Sequence, residues 1–212
     1  MKKYHDIRRE YGNETLDESN VQANPLEQFK KWFEQVLAIE SDDPTAMVLA
    51  TVDEYNVPDT RVVLLKELAE DGFVFYTNYL SDKGKQIEHN PHAAINFYWA
   101  KCVRQVTIRG EIVKLSRDHA EAYFASRPIG SQVSAHASIQ SAVIIERHVL
   151  EEKMAKLTKQ FEGQQVPCPD YWGGYKLIPT EIEFFQGRDS RLHDRLRYRL
   201  VEGNWIIERL SP

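Results

Sequence analysis

Short runs of β-branched and aromatic residues, separated by turn residues, follow one another along most of this 212-residue chain. Strand follows strand, and no strict alternation of strand and helix is present. This order predicts a mainly β protein of the α+β class, built as an antiparallel barrel with peripheral helices. The predicted strands are 46–52, 61–66, 73–78, 93–99, 105–115, 175–178, 181–185, 196–201 and 205–210.

Helix signals lie before and between these strands. Asn24 and Pro25 predict a helix start, because a capping side chain precedes a proline at the first helical position. Ser81 and Ser116 are expected to cap two further helices, and a longer helix follows near residue 150. The fifth predicted strand loses its regular alternation, which predicts a bulge near Gly110.

Composition limits the domain organisation and the compartment. Residues 1–23 offer little apolar surface and are predicted to be a mobile N-terminal arm, whereas residues 24–212 are predicted to form a single domain. Cys102 and Cys168 stand in no CxxC or Cys/His cluster, so we predict neither a disulfide framework nor a metal site. Free cysteines are typical of a reducing compartment, and we therefore predict a cytoplasmic protein. No signal peptide or membrane-length apolar run is visible. The net charge of −5 disfavours nucleic acid as a partner.

Several common functional motifs are missing, and basic clusters remain as candidate sites. The chain has no GxGxxG, GxxxxGK[ST], HExxH or GxSxG sequence. Arg61 and Lys66 flank an apolar strand, where they either extend to water or hold an anion at the strand ends. A regular strand points these two positions to opposite faces, so one shared site requires a bent strand or a ligand that spans its edge.

The second cluster joins a strand end to a helix start. Tyr76 and Thr77 close the strand, and Ser81 precedes Lys83 in the first helical turn. Free backbone N–H groups, hydroxyls and a lysine are suited to a phosphate at a helix N-terminus, although Asp82 opposes it.

The third cluster places five arginines within twelve residues of an acidic protein, at positions 188–199. The segment is either a solvated loop or an anion-binding loop that contains an imidazole. Arg191, His193 and Arg195 alternate, so an extended segment would present all three on one side. Polar residues beside apolar ones, among them Gln105 and Gln140, are candidates for contacts to the edge of a heteroaromatic ring.

Taken together, these segments resemble the pyridoxine/pyridoxamine 5′-phosphate oxidase family. Each short match is weak alone, but the ordered set spans essentially the whole chain. The matching stretches are RREY at 8–11, DPTAM at 43–47, RVVLLK at 61–66, FYTN at 75–78, RQV at 104–106, SRP at 126–128, SQ at 131–132, QS at 140–141, YWGG at 171–174, IEF at 182–184, RLHDR at 191–195 and RLSP at 209–212.

The resemblance implies an FMN-binding split β-barrel homodimer that uses O2 to oxidise pyridoxamine or pyridoxine 5′-phosphate to pyridoxal 5′-phosphate, with release of hydrogen peroxide. It implies roles for Arg191 and His193 in orientation and charge stabilisation at the reacting centre. The implied FMN contacts are Arg61, Val62, Lys66, Tyr76, Thr77, Lys83, Gln105, Gln140, Ser141, Phe185 and Arg195. The implied substrate contacts are Lys66, Tyr123, Arg127, Ser131, Arg191 and His193, with Arg8, Arg9, Glu10 and Tyr11 as a lid or secondary contact.

Three positions depart from the family pattern, and two other functions remain open. Asp82 stands where a basic residue is common, Phe185 where a tryptophan is common, and His136 where an aromatic residue is frequent. The alternatives are another split-barrel flavin oxidoreductase and a non-enzymatic carrier of pyridoxal phosphate. The combined set of substrate residues argues against the first, and bound yellow flavin in purified protein would exclude the second.

Overall fold

The structure is a computed structural model that describes residues 14–39 and 43–212. Within these residues, no helix is both long and apolar enough to cross a membrane. The α-helices are α1 (Pro25–Ile39), α2 (Asp82–His89), α3 (Arg117–Ser126), α4 (Ile129–Ala137) and α5 (Arg147–Gln160). The strands are β1 (Ala46–Val52), β2 (Pro58–Leu64), β3 (Glu67–Ala69), β4 (Gly72–Asn78), β5 (His92–Trp99), β6 (Arg104–Lys114), β7 (Trp172–Gln186), β8 (Asp194–Val201) and β9 (Asn204–Leu210). Short 3-10 turns lie at Glu18–Asn20 and Asp189–Arg191.

The nine described strands belong to one sheet. Its order is β2-β1-β5-β6-β7-β4-β3, and β8 pairs with both β7 and β9. The ladders between β3 and β4, β4 and β7, β7 and β8, and β8 and β9 are all antiparallel. The predicted fold class, a mainly β chain with an antiparallel sheet and added helices, is therefore confirmed.

Backbone contacts divide the chain into two compact units. Of the described residues, the first unit holds 14–39, 43–48, 94–110 and 179–212, and the second holds 49–93 and 111–178. Strands β1, β5, β6 and β7 contribute residues to both units. Whether residues 24–212 behave as one domain stays a prediction.

The first unit is built on aromatic packing against α1. Asn24 accepts a hydrogen bond from the Leu26 N–H at 2.8 Å, which confirms the predicted helix start. Phe29 is fully buried, with its ring centroid 5.1 Å from that of Phe97. Trp32 meets the buried ring of Phe184 edge-on at 5.2 Å. The aromatic residues of α1 therefore pack in the core of this unit.

The predicted N-terminal arm is described only from its fourteenth residue onward. Leu16 is buried, and its N–H donates to the Asp194 carboxylate at 3.1 Å. Arg209 of β9 forms an ion pair with Glu18. The described part of the arm therefore contacts β8 and β9, the mobility of the arm stays a prediction, and the RREY stretch lies outside the described residues.

The second unit holds helices α2 to α5 and a core that includes Phe73 and Phe75 of β4. Ser81 caps α2 and Ser116 caps α3, each by accepting a backbone N–H from three residues ahead, as predicted. Gly173 of β7 allows an aromatic side chain to lie directly on the strand, because a Cβ there would be 2.1 Å from the Tyr79 hydroxyl.

Three local predictions are corrected. The predicted strands 175–178 and 181–185 are one strand, β7. Proline is tolerated within β7 because Pro179 lies between the residues that pair with β4 and those that pair with β8, so neither ladder needs the N–H that proline lacks. Buried positions in β6 alternate through Gly110 without interruption, so the predicted bulge is wrong. Helix α4 was not predicted, since its sequence IGSQVSAHA has few of the apolar residues that mark a helical face.

Candidate active site

The second unit contains a cavity of about 620 Å³, within the size range of small-molecule and cofactor sites. Its wall includes nine of the residues that the sequence predicted for ligand binding. They are Arg61, Val62, Lys66, Tyr76, Thr77, Lys83, Tyr123, Arg127 and Gln140.

The end of β2 explains how Arg61 and Lys66 reach the same cavity. Strand β2 ends at Leu64, and β3 begins at Glu67, so the strand is interrupted before Lys66. Side chains alternate between the two faces only within a regular strand. Because the strand stops before Lys66, the side chains of Arg61 and Lys66 are no longer required to point to opposite faces. The residues from Arg61 to Lys66 therefore do not form one regular strand.

Lys83 is a buried cation in the first turn of α2. It is only 9% exposed, and its Nζ lies 3.5 Å from the Ser81 hydroxyl. Burial, and then the nearby charge of Arg61, lowers the pKa of the Lys83 ammonium. Two cations and a helix N-terminus in one wall of the cavity are suited to an anionic group such as a phosphate.

Three nearly parallel aromatic rings form another wall. The centroids of Tyr76 and Tyr123 are 3.8 Å apart, and that of Trp172 is 5.6 Å from Tyr76. The Arg127 guanidinium carbon lies 4.6 Å from the Trp172 centroid, a cation–π geometry. Burial raises the pKa of Tyr76 to about 12, so its hydroxyl stays neutral at physiological pH.

Arg127 has an unmet hydrogen-bonding requirement. Its Nη1 is buried and finds no hydrogen-bond partner among the described residues. Burial lowers the pKa of the guanidinium, yet arginine stays charged in proteins. A buried donor without an acceptor is costly, so this atom marks a position where a ligand anion would be favourable.

Polar side chains complete the cavity. The Thr77 hydroxyl donates to Gln140 Oε1 at 3.1 Å, which joins two of the predicted contacts. Ser141 is not in the wall; its hydroxyl accepts the Asp82 N–H at 3.3 Å, beside the start of α2. Ser131 is also absent from the wall.

Two serines that the sequence did not single out, Ser134 and Ser138, line the cavity instead of Ser131. The three serines follow at intervals of three and four, the spacing of one helical face. The prediction missed them because helix α4 was itself missed.

The third basic cluster belongs to the first unit and is largely neutralised. Arg195 donates two hydrogen bonds to Glu183, at 2.7 and 3.1 Å. Arg197 and Arg199 both pair with Glu208. Three of the five arginines are therefore paired with carboxylates, and both predicted alternatives for the segment, a solvated loop and an anion-binding loop, stay predictions.

The loop before β8 is not extended, which corrects the predicted common side for Arg191, His193 and Arg195. Ser190 and Arg191 have positive φ angles of 56° and 60° in a 3-10 turn, and β8 starts only at Asp194. Consecutive left-handed residues other than glycine are unfavourable, and such conformations are concentrated at functional sites. Arg191 is exposed at this turn.

His193 is held in a defined hydrogen-bonding state. The Arg188 N–H donates to its Nδ1 at 3.0 Å, and its ring lies 4.8 Å from that of Phe185. Burial, followed by the charge of Arg191, lowers the pKa of the imidazole. A neutral ring whose Nδ1 accepts carries its proton on Nε2, so His193 is a hydrogen-bond donor through that atom.

The remaining predicted cofactor contact, Gln105, also belongs to the first unit, where its amide donates to the Thr107 hydroxyl at 3.3 Å. The structure therefore brings nine predicted residues together around one cavity. It places Gln105, Phe185, Arg191, His193 and Arg195 in the other unit. Their roles in a site stay predictions.

Comparison with known proteins gives consistent matches along the chain. A family model described as pyridoxamine 5′-phosphate oxidase matches residues 31–161. A second, described as pyridoxine 5′-phosphate oxidase C-terminal dimerisation region, matches residues 172–212. A curated relative from Legionella pneumophila (strain Lens), named pyridoxine/pyridoxamine 5′-phosphate oxidase, is 52% identical over 98% of this chain and 96% of its own length.

Solved structures agree with this result. PhzG from Burkholderia lata 383, in complex with tetrahydrophenazine-1-carboxylic acid, matches with a TM-score of 0.88 and 27% identity over 93% of this chain and 98% of that chain. A pyridoxamine 5′-phosphate oxidase-related, FMN binding protein from Nostoc punctiforme PCC 73102 has a TM-score of 0.69 at 16% identity, over 87% and 95% of the two chains, and shares the fold alone. By sequence and by fold, the chain belongs to the pyridoxamine 5′-phosphate oxidase family.

Proposed function

We propose that this protein oxidises pyridoxamine 5′-phosphate and pyridoxine 5′-phosphate to pyridoxal 5′-phosphate, with FMN as cofactor and O2 as electron acceptor. O2 is reduced to hydrogen peroxide, and the amine substrate also takes up water and releases ammonia. The observation that carries the proposal is the cavity of the second unit. It combines Arg61 and Lys83 beside a helix start with Lys66 and Arg127 beside stacked aromatic rings. Two phosphorylated ring compounds, a cofactor and a substrate, would use both sets of cations.

The residues of the cavity fit FMN. Lys83 is a buried cation with a hydroxyl beside it, and Arg61 lies close enough to lower its pKa, so a phosphate would find two positive charges there. Thr77 and Gln140 provide amide and hydroxyl groups that suit the polar edge of a flavin ring. Bound FMN would supply a hydride acceptor that molecular oxygen reoxidises with formation of hydrogen peroxide.

The protein's own part in the reaction is binding and orientation. Arg127 would place its unpartnered Nη1 on the substrate phosphate, with Lys66 as a second cation. Tyr123, a neutral phenol because burial raises its pKa, would add a hydroxyl donor. Holding the substrate in one orientation lowers the entropic part of the barrier.

Arg191 and His193 are assigned to the substrate by their match to the family motif RLHDR. Arg191 would supply positive charge. His193 would donate a hydrogen bond from Nε2 and would not act as a base, because its Nδ1 already accepts the Arg188 N–H. Its lowered pKa keeps the ring neutral at physiological pH.

Assembly and compartment complete the proposal. Residues 172–212 match a dimerisation region, and we infer that the chain works as a homodimer. Light scattering on purified protein would give twice the mass of one chain, and a monomer would contradict it. Neither Cys102 nor Cys168 forms a disulfide, which is consistent with the cytoplasmic location that we propose.

One assay tests the activity. Protein loaded with FMN is mixed in air with pyridoxamine 5′-phosphate or pyridoxine 5′-phosphate, and hydrogen peroxide and the aldehyde product are followed together. We expect one peroxide per aldehyde, and little reaction with pyridoxamine that lacks the phosphate. Peroxide without aldehyde would indicate another flavin oxidoreductase. Colourless protein that only binds pyridoxal phosphate would indicate a carrier.

A further inference from the structure

The Arg61 side chain has almost all of its hydrogen-bonding capacity in use within the protein. Its side chain is 17% exposed. Nη1 donates to the Thr51 hydroxyl at 2.5 Å and to the Leu49 carbonyl at 3.4 Å. Nη2 donates to Gln86 Oε1 at 3.1 Å and forms an ion pair with Asp59. Among the described residues, the Nε–H is the guanidinium donor left for another acceptor.

Three of the groups that accept hydrogen bonds from the guanidinium are neutral. Thr51 is 2% exposed on β1, and its hydroxyl donates to Gln86 Oε1 at 2.5 Å. Gln86 lies on α2, one turn after Lys83. Together with the Leu49 carbonyl, these neutral acceptors fix Arg61 from both a strand and a helix.

Asp59 differs from the other partners because it carries a charge. It stands two residues before Arg61 on β2, its side chain is 48% exposed, and it also accepts a hydrogen bond from the Gln86 amide at 3.3 Å. Burial opposes its ionisation, but the Gln86 hydrogen bond and the Arg61 charge hold the pKa of its carboxyl below the ordinary value. A carboxylate therefore faces the cation that a phosphate would use.

We propose that Asp59 is a counter-charge that weakens the binding of the FMN phosphate by occupying Arg61. The inference rests on the proposed use of FMN. A phosphate that binds the guanidinium through two donors needs Nη2 as well as Nε, and Nη2 is shared between Asp59 and Gln86. Asp59 is the partner that repels the ligand, and its exposure lets it turn to water.

The test compares FMN with riboflavin, which has the same ring system and no phosphate. Flavin is removed from the purified protein, and each ligand is titrated by quenching of flavin fluorescence. Asp59→Asn keeps the shape and one oxygen acceptor but removes the charge. We expect the Kd of FMN to fall roughly two- to fivefold, and the Kd of riboflavin to stay unchanged.

Two further variants make the result specific. Asp170→Asn removes the same charge from an exposed carboxylate in the same unit and should leave both Kd values unchanged. Thr51→Val removes a neutral anchor of Arg61 at nearly constant volume and should weaken FMN but not riboflavin, a change opposite to that of Asp59→Asn.

Failure of this inference can be separated from failure of the proposed function. If Asp59→Asn leaves the FMN Kd unchanged, raises it, or changes the riboflavin Kd by the same factor, Asp59 is not an opposing charge. If the unmodified protein binds FMN no more tightly than riboflavin, the phosphate subsite itself is wrong, and the proposed cofactor with it.

Discussion

Arg127 and Tyr175 hold the two buried side-chain polar atoms that lack a hydrogen-bond partner in the described part of the chain. Burial raises the pKa of Tyr175, so its hydroxyl is neutral, whereas Arg127 keeps its charge. An unpartnered charged group costs more than a neutral one. At the scale of single residues, Arg127 is therefore where a bound anion would contribute most.

Arg127→Met is expected to raise the KM for pyridoxamine 5′-phosphate roughly tenfold or more, because charge-assisted hydrogen bonds are lost. The Kd of FMN should change little, since Arg61 and Lys83 are untouched. Steady-state kinetics and an FMN titration separate the two effects. Arg147→Met, at an exposed position on α5, is the matched control. An unchanged KM would remove Arg127 from the substrate site.

His193 is the second residue whose state has a direct test. Its pKa lies below the ordinary 6.5, so at pH 7 NMR of 15N-labelled protein should find Nε2 protonated and Nδ1 bare. The unfolded chain binds the proton more tightly. The stability that neutral His193 gives the folded state is therefore fully present above the ordinary pKa and is lost as pH falls from that value through the lowered pKa of the folded state. A proton on Nδ1, or a raised pKa, would contradict the proposed role as a donor.

At the scale of elements, local signals were sufficient where they act within a few residues. The caps at Asn24, Ser81 and Ser116 and the strand 46–52 were all predicted correctly. The β8–β9 turn is equally local, because Glu202 and Gly203 adopt the positive φ angles that such two-residue turns require. These features depend on hydrogen bonds and steric limits between residues that are close in sequence, so they can be predicted from the sequence alone.

Features that depend on a distant partner were missed. Strand β7 continues through Pro179 because β4 and β8 pair with different halves of it, and no local signal reports those partners. The sequence did not predict the end of β2 at Leu64; it required only that either the strand bends or a ligand spans its edge. The cations of the cavity, Tyr76 and Tyr123 were among the predicted residues, whereas Trp172 was not. Ser134 and Ser138 depend on α4, which the sequence did not reveal.

Helix α2 provides a test at this scale, because its residue Gly84 lies directly against the backbone of Tyr79. A Cβ at this position would lie 2.1 Å from the Tyr79 carbonyl oxygen, whereas one at Gly130 of α4 meets nothing within 4 Å. Gly84→Ala should destabilise the protein by about 1–3 kcal/mol through overpacking. Gly130→Ala should stabilise it by up to about 1 kcal/mol through helix propensity. Urea unfolding measures both, and a stabilised Gly84→Ala protein would show that α2 moves freely away from Tyr79.

The whole molecule consists of two units that share four strands, and the predicted ligand contacts are divided between them. The cavity with its cations belongs to the second unit, and Arg191 and His193 belong to the first. Sequence order gave no sign of this division, because each unit is assembled from separate stretches of the chain. Because the chain passes from one unit to the other within single strands, we expect the two units to unfold together.

Thermal unfolding in the presence of FMN tests this cooperativity together with the cofactor. A ligand that binds only the folded state at about 100 times its Kd stabilises it by about 2.7 kcal/mol. For a domain of this size that corresponds to a rise in Tm of roughly 5–10 °C. If residues 24–212 are one domain, calorimetry should show a single transition that moves as a whole. Riboflavin at the same concentration should have a smaller effect, because it lacks the phosphate that Arg61 and Lys83 would hold. Two transitions, of which FMN moves only one, would mean that the two units unfold separately; no shift at all would contradict FMN binding.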